Sequence, residues 1–254
     1  MKRPGLILYG VLCYAFFNIS FLYMAGFLLD LLVPKTINSG TPVSYWTAIP
    51  TNLALIFLFG FFHSLMARQK FKEWWTQFVP VEAERSTYVL QAAAFLSLLM
   101  AFWQPMPAQV WSVTDGWAMG FYAMFAVGLI MVLLSTFLID HFELFGLRQI
   151  WSANKSAPMP ASTFRTPMLY KIVRHPMQLG VILVFFATPH MTTGHLFFAV
   201  SMTVYVLIGL FFEERSLVRE FGDTYRDYQA HVPMLLPNPF PRRTREPWGP
   251  KRSS

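Results

Sequence analysis

Arg174-His175-Pro176, then Gly180, then Glu213-Glu214 and Phe221-Gly222-x-x-Tyr225-x-x-Tyr228, closing on Val232-Pro233 and Pro237, decide the reading of this chain. These charged and hydrogen-bonding groups stand at both ends of a very apolar run, Leu179 to Phe212. A helical hairpin in lipid satisfies its own backbone and needs no such ends. Polar groups gathered on one membrane face beside a hairpin indicate a site at the boundary between bilayer and water.

Upstream the apolar runs repeat. Leu6–Val33, Ile49–Ala67, Thr87–Phe102 and Trp117–Ile139 each approach or exceed the roughly 20 residues that cross a bilayer core. Met177–Thr188 and Leu196–Phe212 follow, split by Pro189 to His195. The fifth run is too short to span upright. It is either an incomplete span or one that begins earlier, inside protein. Composition agrees: 55% of the 254 residues are hydrophobic and 13% charged, with mean hydropathy +0.42, where a soluble domain carries about 25% charged residues. The fold class is all-α, a polytopic membrane helix bundle of five to six transmembrane segments with a C-terminal helical hairpin. The first run is too long for a signal-peptide core and has no small-residue cleavage site, so it reads as a retained helix.

Charge orients the bundle. Nineteen of the twenty Lys and Arg fall on one side of the membrane, Lys35 being the exception. Basic residues stay cytoplasmic, so both termini and the polar motifs are expected there, in an integral membrane protein. The fifth and sixth runs must then form a full hairpin. Basic loops near anionic lipid account for the net charge of +7, so no nucleic-acid partner is expected, and no obligatory protein partner is evident. All eight Trp stand in loops or at segment ends, Trp103 and Trp117 included, as an interfacial belt requires. The chain reads as one membrane domain, 1–254. Pro158, Pro160 and Pro167 break its longest loop into turns, and 238–254 is a flexible basic tail. The lone Cys13 rules out an internal disulfide.

Several residues can carry chemistry. Pro176 suits the first position of a helix. His175 would then be its cap, with free backbone donors that can hold a carboxylate or phosphate and Arg174 adding a forked donor. A topogenic charge is the plain alternative for Arg174. Glu213 and Glu214 end an apolar helix, where two acids are costly unless solvated or paired; adjacent helical residues point about 100° apart, so at most one faces a given pocket. The alternative is a solvated helix end with Arg215 and Arg219 nearby. Tyr225 and Tyr228 share one face of a short helix and either cover an aromatic ligand or pack on the bundle. Asp140-His141-Phe142-Glu143 closes the fourth span and could supply a base, or be an ordinary polar helix end. His63, near the cytoplasmic end of the second span, either reaches the pocket or pairs locally. His190 and His195 are poorly spaced for a metal and lie on the opposite face, so no metal site is expected. No βαβ region is present to support a Rossmann fold.

The set from Tyr170 to Pro237 resembles the membrane methyltransferase superfamily that contains the isoprenylcysteine carboxyl methyltransferases and phospholipid N-methyltransferases. Asp140-His-Phe-Glu-Leu-Phe-Gly-Leu-Arg-Gln149 and Ala187-Thr-Pro-His-Met-Thr-Thr-Gly-His-Leu196 look most like the bacterial methanethiol S-methyltransferases of the nurim-like branch. Gln178 departs from the wider pattern, where Tyr is common. The resemblance implies S-adenosyl-L-methionine as methyl donor, a small volatile thiol as acceptor, and a bacterial inner-membrane location. It implies a cofactor-binding core at 170–237, with a cytoplasmic cofactor site formed by Tyr170, Arg174, His175, Pro176, Leu179, Gly180, Glu213, Glu214, Tyr225 and Tyr228. The thiolate is the competent nucleophile, so a base is expected, and His141, His175 and Glu214 are the candidates, His141 first. The alternatives are a lipid-like acceptor, such as a prenylcysteine carboxylate or phospholipid amine, or a non-enzymatic nurim-like membrane protein.

Overall fold

The computed structural model describes residues 4–154 and 164–237. Pro158, Pro160 and the basic tail 238–254 lie outside the described residues. Five helices are long and apolar enough to cross a membrane: α1 (Pro4–Leu29), α2 (Tyr45–Met66), α4 (Val81–Phe102), α5 (Asp115–Ile139) and α9 (Thr193–Phe221). Short helices stand between and after them: α3 (Gln69–Trp75), α6 (His141–Leu144), α7 (Leu147–Asn154), α8 (Pro176–Phe186) and α10 (Asp223–His231). The outward side chains of the long helices are apolar, among them Leu12, Ile19, Phe57, Ile130, Phe137 and Ile208. A helix apolar all round belongs in a bilayer. The chain is therefore an integral membrane protein.

Helix α4 starts six residues before the apolar run Thr87–Phe102, which brings Glu84 and Arg85 into its first turns. The connection from His141 to His175 holds more than turns: it contains α6, α7 and a 3-10 turn, Met168–Lys171. Trp46 and Trp117 are 92% and 82% exposed, as interfacial residues are. Trp103 corrects that expectation. It is 1% exposed and meets Phe198 edge-on at 5.5 Å, so it is a core residue that happens to end a helix.

The fifth apolar run is half a span. The 11 residues of α8 rise only about 16 Å, against a hydrocarbon core of about 30 Å. Helix α9 rises about 32 Å between Thr193 and Glu214. The chain covers the difference without helix, through residues 187–192, at about 3.3 Å per extended residue. Ala187, Thr188, Pro189 and Met191 on that stretch are buried, as irregular backbone at membrane depth must be. Its end, β2 (His190–Thr192), pairs antiparallel with β1 (Gln109–Ser112), and Trp111 Nε1 donates to Thr188 O at 3.0 Å. Thr192 then caps α9, accepting from His195 N.

Helix α8 can sit inside the bundle because it meets α5 glycine to glycine. A Cβ on Gly180 would stand 2.7 Å from Gly128 O, and one on Gly128 would stand 2.8 Å from Gly180 O. Two backbones in contact leave no room for a side chain. Gly180→Val and Gly128→Val should each cost about 1–3 kcal/mol by overpacking. Thermal unfolding of the detergent-purified variants should show lowered midpoints; wild-type midpoints in both would refute this crossing.

Candidate functional site

The start of α8, the end of α9 and α10 meet at one carboxylate. Arg174 donates from Nε and Nη2 to the two oxygens of Glu214, at 2.9 and 3.0 Å. His175 Nε2 reaches Glu214 Oε1 at 2.7 Å, and the Tyr225 hydroxyl donates to the same oxygen at 2.9 Å. Gln229 Nε2 donates to Oε2. Arg174 also donates from Nη1 to the carbonyls of Gln229, at 3.2 Å, and Val232. Side-chain exposures of 11% for Arg174, 12% for Glu214 and 4% for His175 make this a buried, paired knot of the forked kind that arginine forms best. Backbone bonds extend it: Arg174 N donates to Pro233 O and His175 N to Met234 O. The sharp turn that swings α10 back needs Gly222, at φ +57, where a side chain would be strained.

Beside the knot lies a cavity of about 580 Å³ at the basic end of the bundle, within the range of small-ligand sites. Six of the ten residues expected at the cofactor site line it: Tyr170, Arg174, His175, Glu213, Tyr225 and Tyr228. Pro176, Leu179, Gly180 and Glu214 do not. Gly180 faces Gly128, and Glu214 is consumed by the knot. The two acids thus divide the work that their 100° separation required of them. Glu214 points inward to Arg174. Glu213 is exposed to the cavity, with Gln178 Nε2 at 3.5 Å as its hydrogen-bond donor. The first-turn N–H groups of Met177 and Gln178 have no helical acceptor, and both residues line the same cavity.

Tyr225 and Tyr228 present little to the cavity, at 1% and 2% exposure. Phe164 meets both rings edge-on, and the Tyr228 hydroxyl donates to Tyr170 O. Burial first, then the hydrogen bond to Glu214, raises the Tyr225 phenol, so it stays a donor. Burial and the Glu213 charge raise the Tyr170 phenol likewise.

His141 sits elsewhere. It is 6% exposed and does not line the cavity. The chain leaves helical geometry at Asp140, whose carboxylate caps α6 by accepting from Glu143 N at 3.0 Å and pairs with Arg148. That break turns His141 into the bundle, stacked on Phe137 at 4.1 Å. Thr136 donates its hydroxyl proton to Leu133 O at 2.7 Å, so at 2.8 Å it accepts from His141 Nδ1–H. Nε2 is left as the acceptor, and the Tyr14 hydroxyl donates to it at 2.8 Å. Burial lowers the imidazole below its ordinary value. His141 ties α1, α5 and α6 together.

The sequence reading missed part of the far wall: Lys72 from α3 and Glu84 and Arg85 from α4 line the cavity, beside Asp140, Glu143, Arg148 and Gln149 of the motif that closes the fourth span. Arg85 is locked there by its Nε–H, which donates to Leu144 O at 2.9 Å. Their one visible signal was a basic loop already assigned to topology.

A polytopic integral membrane protein with a mixed-charge ligand cavity at one bilayer face is the class that these features define. The chain is 48% identical over 241 residues to methanethiol S-methyltransferase 2 of Bradyrhizobium diazoefficiens, covering 95% of this chain and 93% of that one. It is 47% identical over 240 residues to methanethiol S-methyltransferase of Mycobacterium tuberculosis, covering 94% and 98%. Nurim of Bos taurus is 29% identical over 164 residues, covering 61% and 62%. No family model and no solved structure matches. The chain belongs to the methanethiol S-methyltransferase family.

Removing one partner of a buried ion pair costs roughly 3–5 kcal/mol. Arg174→Met should therefore lower the unfolding midpoint more than Glu213→Gln, which touches only the cavity. It should also expose α10 to limited proteolysis. Equal midpoints and equal cleavage in the two variants would contradict the knot.

Proposed function

We infer that this chain transfers a methyl group from S-adenosyl-L-methionine to methanethiol, releasing dimethyl sulfide, at the cytoplasmic face of a bacterial inner membrane. The observation that carries this is near-full-length identity of 46–49% to several methanethiol S-methyltransferases. The cavity has the donor set that such a methyl donor needs. That donor brings a carboxylate, an ammonium, ribose hydroxyls, an adenine and a sulfonium, and when bound it supplies an electrophilic methyl.

The residues at hand divide accordingly. The first-turn amides of Met177 and Gln178, which have no acceptor within α8, suit the carboxylate. Glu213, whose carboxylate lacks a salt-bridge partner among the described residues, suits the ammonium. Phe164 and Phe221, in contact at 5.2 Å, offer aromatic surface for a purine. Glu214 and Arg174 act one step back, holding α8, α9 and α10 at fixed spacing. Of the expected bases, His175 and Glu214 are bonded to each other and His141 is bonded at both nitrogens; we assign all three to positioning. The acceptor is small, apolar and membrane-permeable, so a lipid-embedded wall admits it without a polar channel.

Purified protein supplied with S-adenosyl-L-methionine and methanethiol should release dimethyl sulfide into the headspace, measured by gas chromatography. Methylation of a prenylcysteine or phospholipid with none of the thiol would overturn the acceptor. Glu213→Gln should weaken donor binding by roughly 10- to 150-fold, the equivalent of about 1.5–3 kcal/mol, in calorimetric titration. Unchanged affinity would remove Glu213 from the donor site. For topology, a Cys placed at Ser254 should resist an impermeant reagent in intact cells, because the basic loops keep that end inside; labelling would invert the bundle.

A further inference from the structure

Behind Arg85, which lines the cavity, a polar seam runs between the spanning helices α4 and α2. The Tyr88 ring lies under the Arg85 guanidinium, 5.5 Å away. The Tyr88 hydroxyl bonds His63 Nε2 of α2 at 2.8 Å. Among the described residues no carboxylate bonds His63, unlike His175. One turn further along α4 is Gln91. Both polar atoms of its amide are buried and have no hydrogen-bond partner among the described residues. Gln91 stands between two residues that face α2: Tyr88, on His63, and Phe95, stacked on Phe62 at 4.7 Å. Helix α9 closes the third side with Tyr205, whose ring meets Phe59 at 5.9 Å and His63 at 6.4 Å.

An ionisable side chain inside a membrane bundle is expensive, and so is an unbonded amide. Packing alone would have put apolar residues at 63 and 91. Helices α2 and α9 also pack tightly here. A Cβ on Gly60 would lie 2.9 Å from the Tyr205 ring, so the two helices leave little width beside His63 and any occupant must be only a few atoms.

We propose that the seam of His63, Tyr88 and Gln91 seats the thiol acceptor, and that the Tyr88–His63 pair takes its proton. This rests on the reading of the chain as a thiol methyltransferase. The chemistry matches group by group. Aromatic walls from Phe59, Phe62 and Tyr205 favour a soft sulfur and a methyl group. The Tyr88 oxygen accepts the S–H, and the Gln91 amide nitrogen can donate to the sulfur. In the step itself the S–H bond breaks as an O–H bond forms on Tyr88. The Tyr88 proton passes to His63 Nε2, forming the imidazolium. The thiolate electron pair forms the new C–S bond to the transferred methyl, and the donor's own C–S pair returns to the departing sulfur. The proton later leaves His63 for solvent. The charged and titratable groups facing the pair are Arg85 and Glu84 from α4 and Tyr205 and Glu213 from α9.

Tyr88→Phe, His63→Gln and Gln91→Leu test this in the full-length protein in detergent. Donor affinity is read by calorimetry, and kcat and KM for methanethiol across pH. Tyr88→Phe and His63→Gln should cut kcat near pH 7 by roughly 10²–10⁴-fold, with donor affinity within about twofold. Their rates should climb with pH toward wild type as the thiol ionises unaided, a recovery that a merely structural role would not give. Gln91→Leu should raise KM for the thiol more than it lowers kcat. Wild-type kcat/KM in Tyr88→Phe and His63→Gln overturns the proposal. So does loss of donor binding in step with activity, which would make the seam structural. An active wild type with insensitive variants defeats this inference alone. A wild type that binds donor and releases no dimethyl sulfide defeats the reading beneath it.

Discussion

One buried carboxylate holds the working end of this molecule together. Glu214 takes donors from Arg174, His175, Tyr225 and Gln229, which come from the entry to α8 and from α10. Ionised hydrogen bonds are the strong ones, and in a low-dielectric setting they reinforce one another. The desolvation cost of the pair is offset only because each oxygen is bonded more than once. The geometry of the cavity follows, since α8, α9 and α10 each contribute to its wall. With Glu214 spent on architecture, its neighbour Glu213 faces the cavity, bonded there by Gln178.

The second constraint is the bilayer. A polar cavity at the membrane boundary needs helix ends there, and α8 provides one only because its other half is given up to buried, extended chain. The Gly128–Gly180 contact holds that short helix against α5. The β1–β2 ribbon and the Thr192 cap satisfy the backbone that helix would otherwise have paired. Glycine to one side and the Glu214 knot at the end fix where the α8 amides point. The proposed methyl-donor site at the water boundary and the proposed acceptor wall reaching into lipid both rest on this one placement.

Much of this was legible in the sequence because it is local or compositional. Five spans, the short fifth run and the return of Glu213-Glu214 to Arg174-His175 follow from apolar run lengths and charge. What was not legible depends on rotation about a helix axis. Glu213 and Glu214 are chemically equal as letters; only the packed α9 decides which meets Arg174. His141 looked like a residue of the cavity rim, and the break at Asp140 turns it inward. Gly180 read as ligand contact and is a helix crossing. Lys72 and Arg85 belong to the cavity through tertiary packing, about a hundred residues before the motif they join, and no spacing rule links them to it. Trp103 was assigned to the lipid interface from its position at a helix end, and it packs in the core.

The most direct measurement is an experimental structure of the enzyme with S-adenosyl-L-homocysteine, the demethylated donor. The account predicts ligand density between the first turn of α8 and Glu213, with its sulfur end toward Arg85 and Tyr88, and Glu214 still bonded to Arg174 and His175. Density outside this cavity, or Glu214 released from Arg174 to bind the ligand, would contradict it.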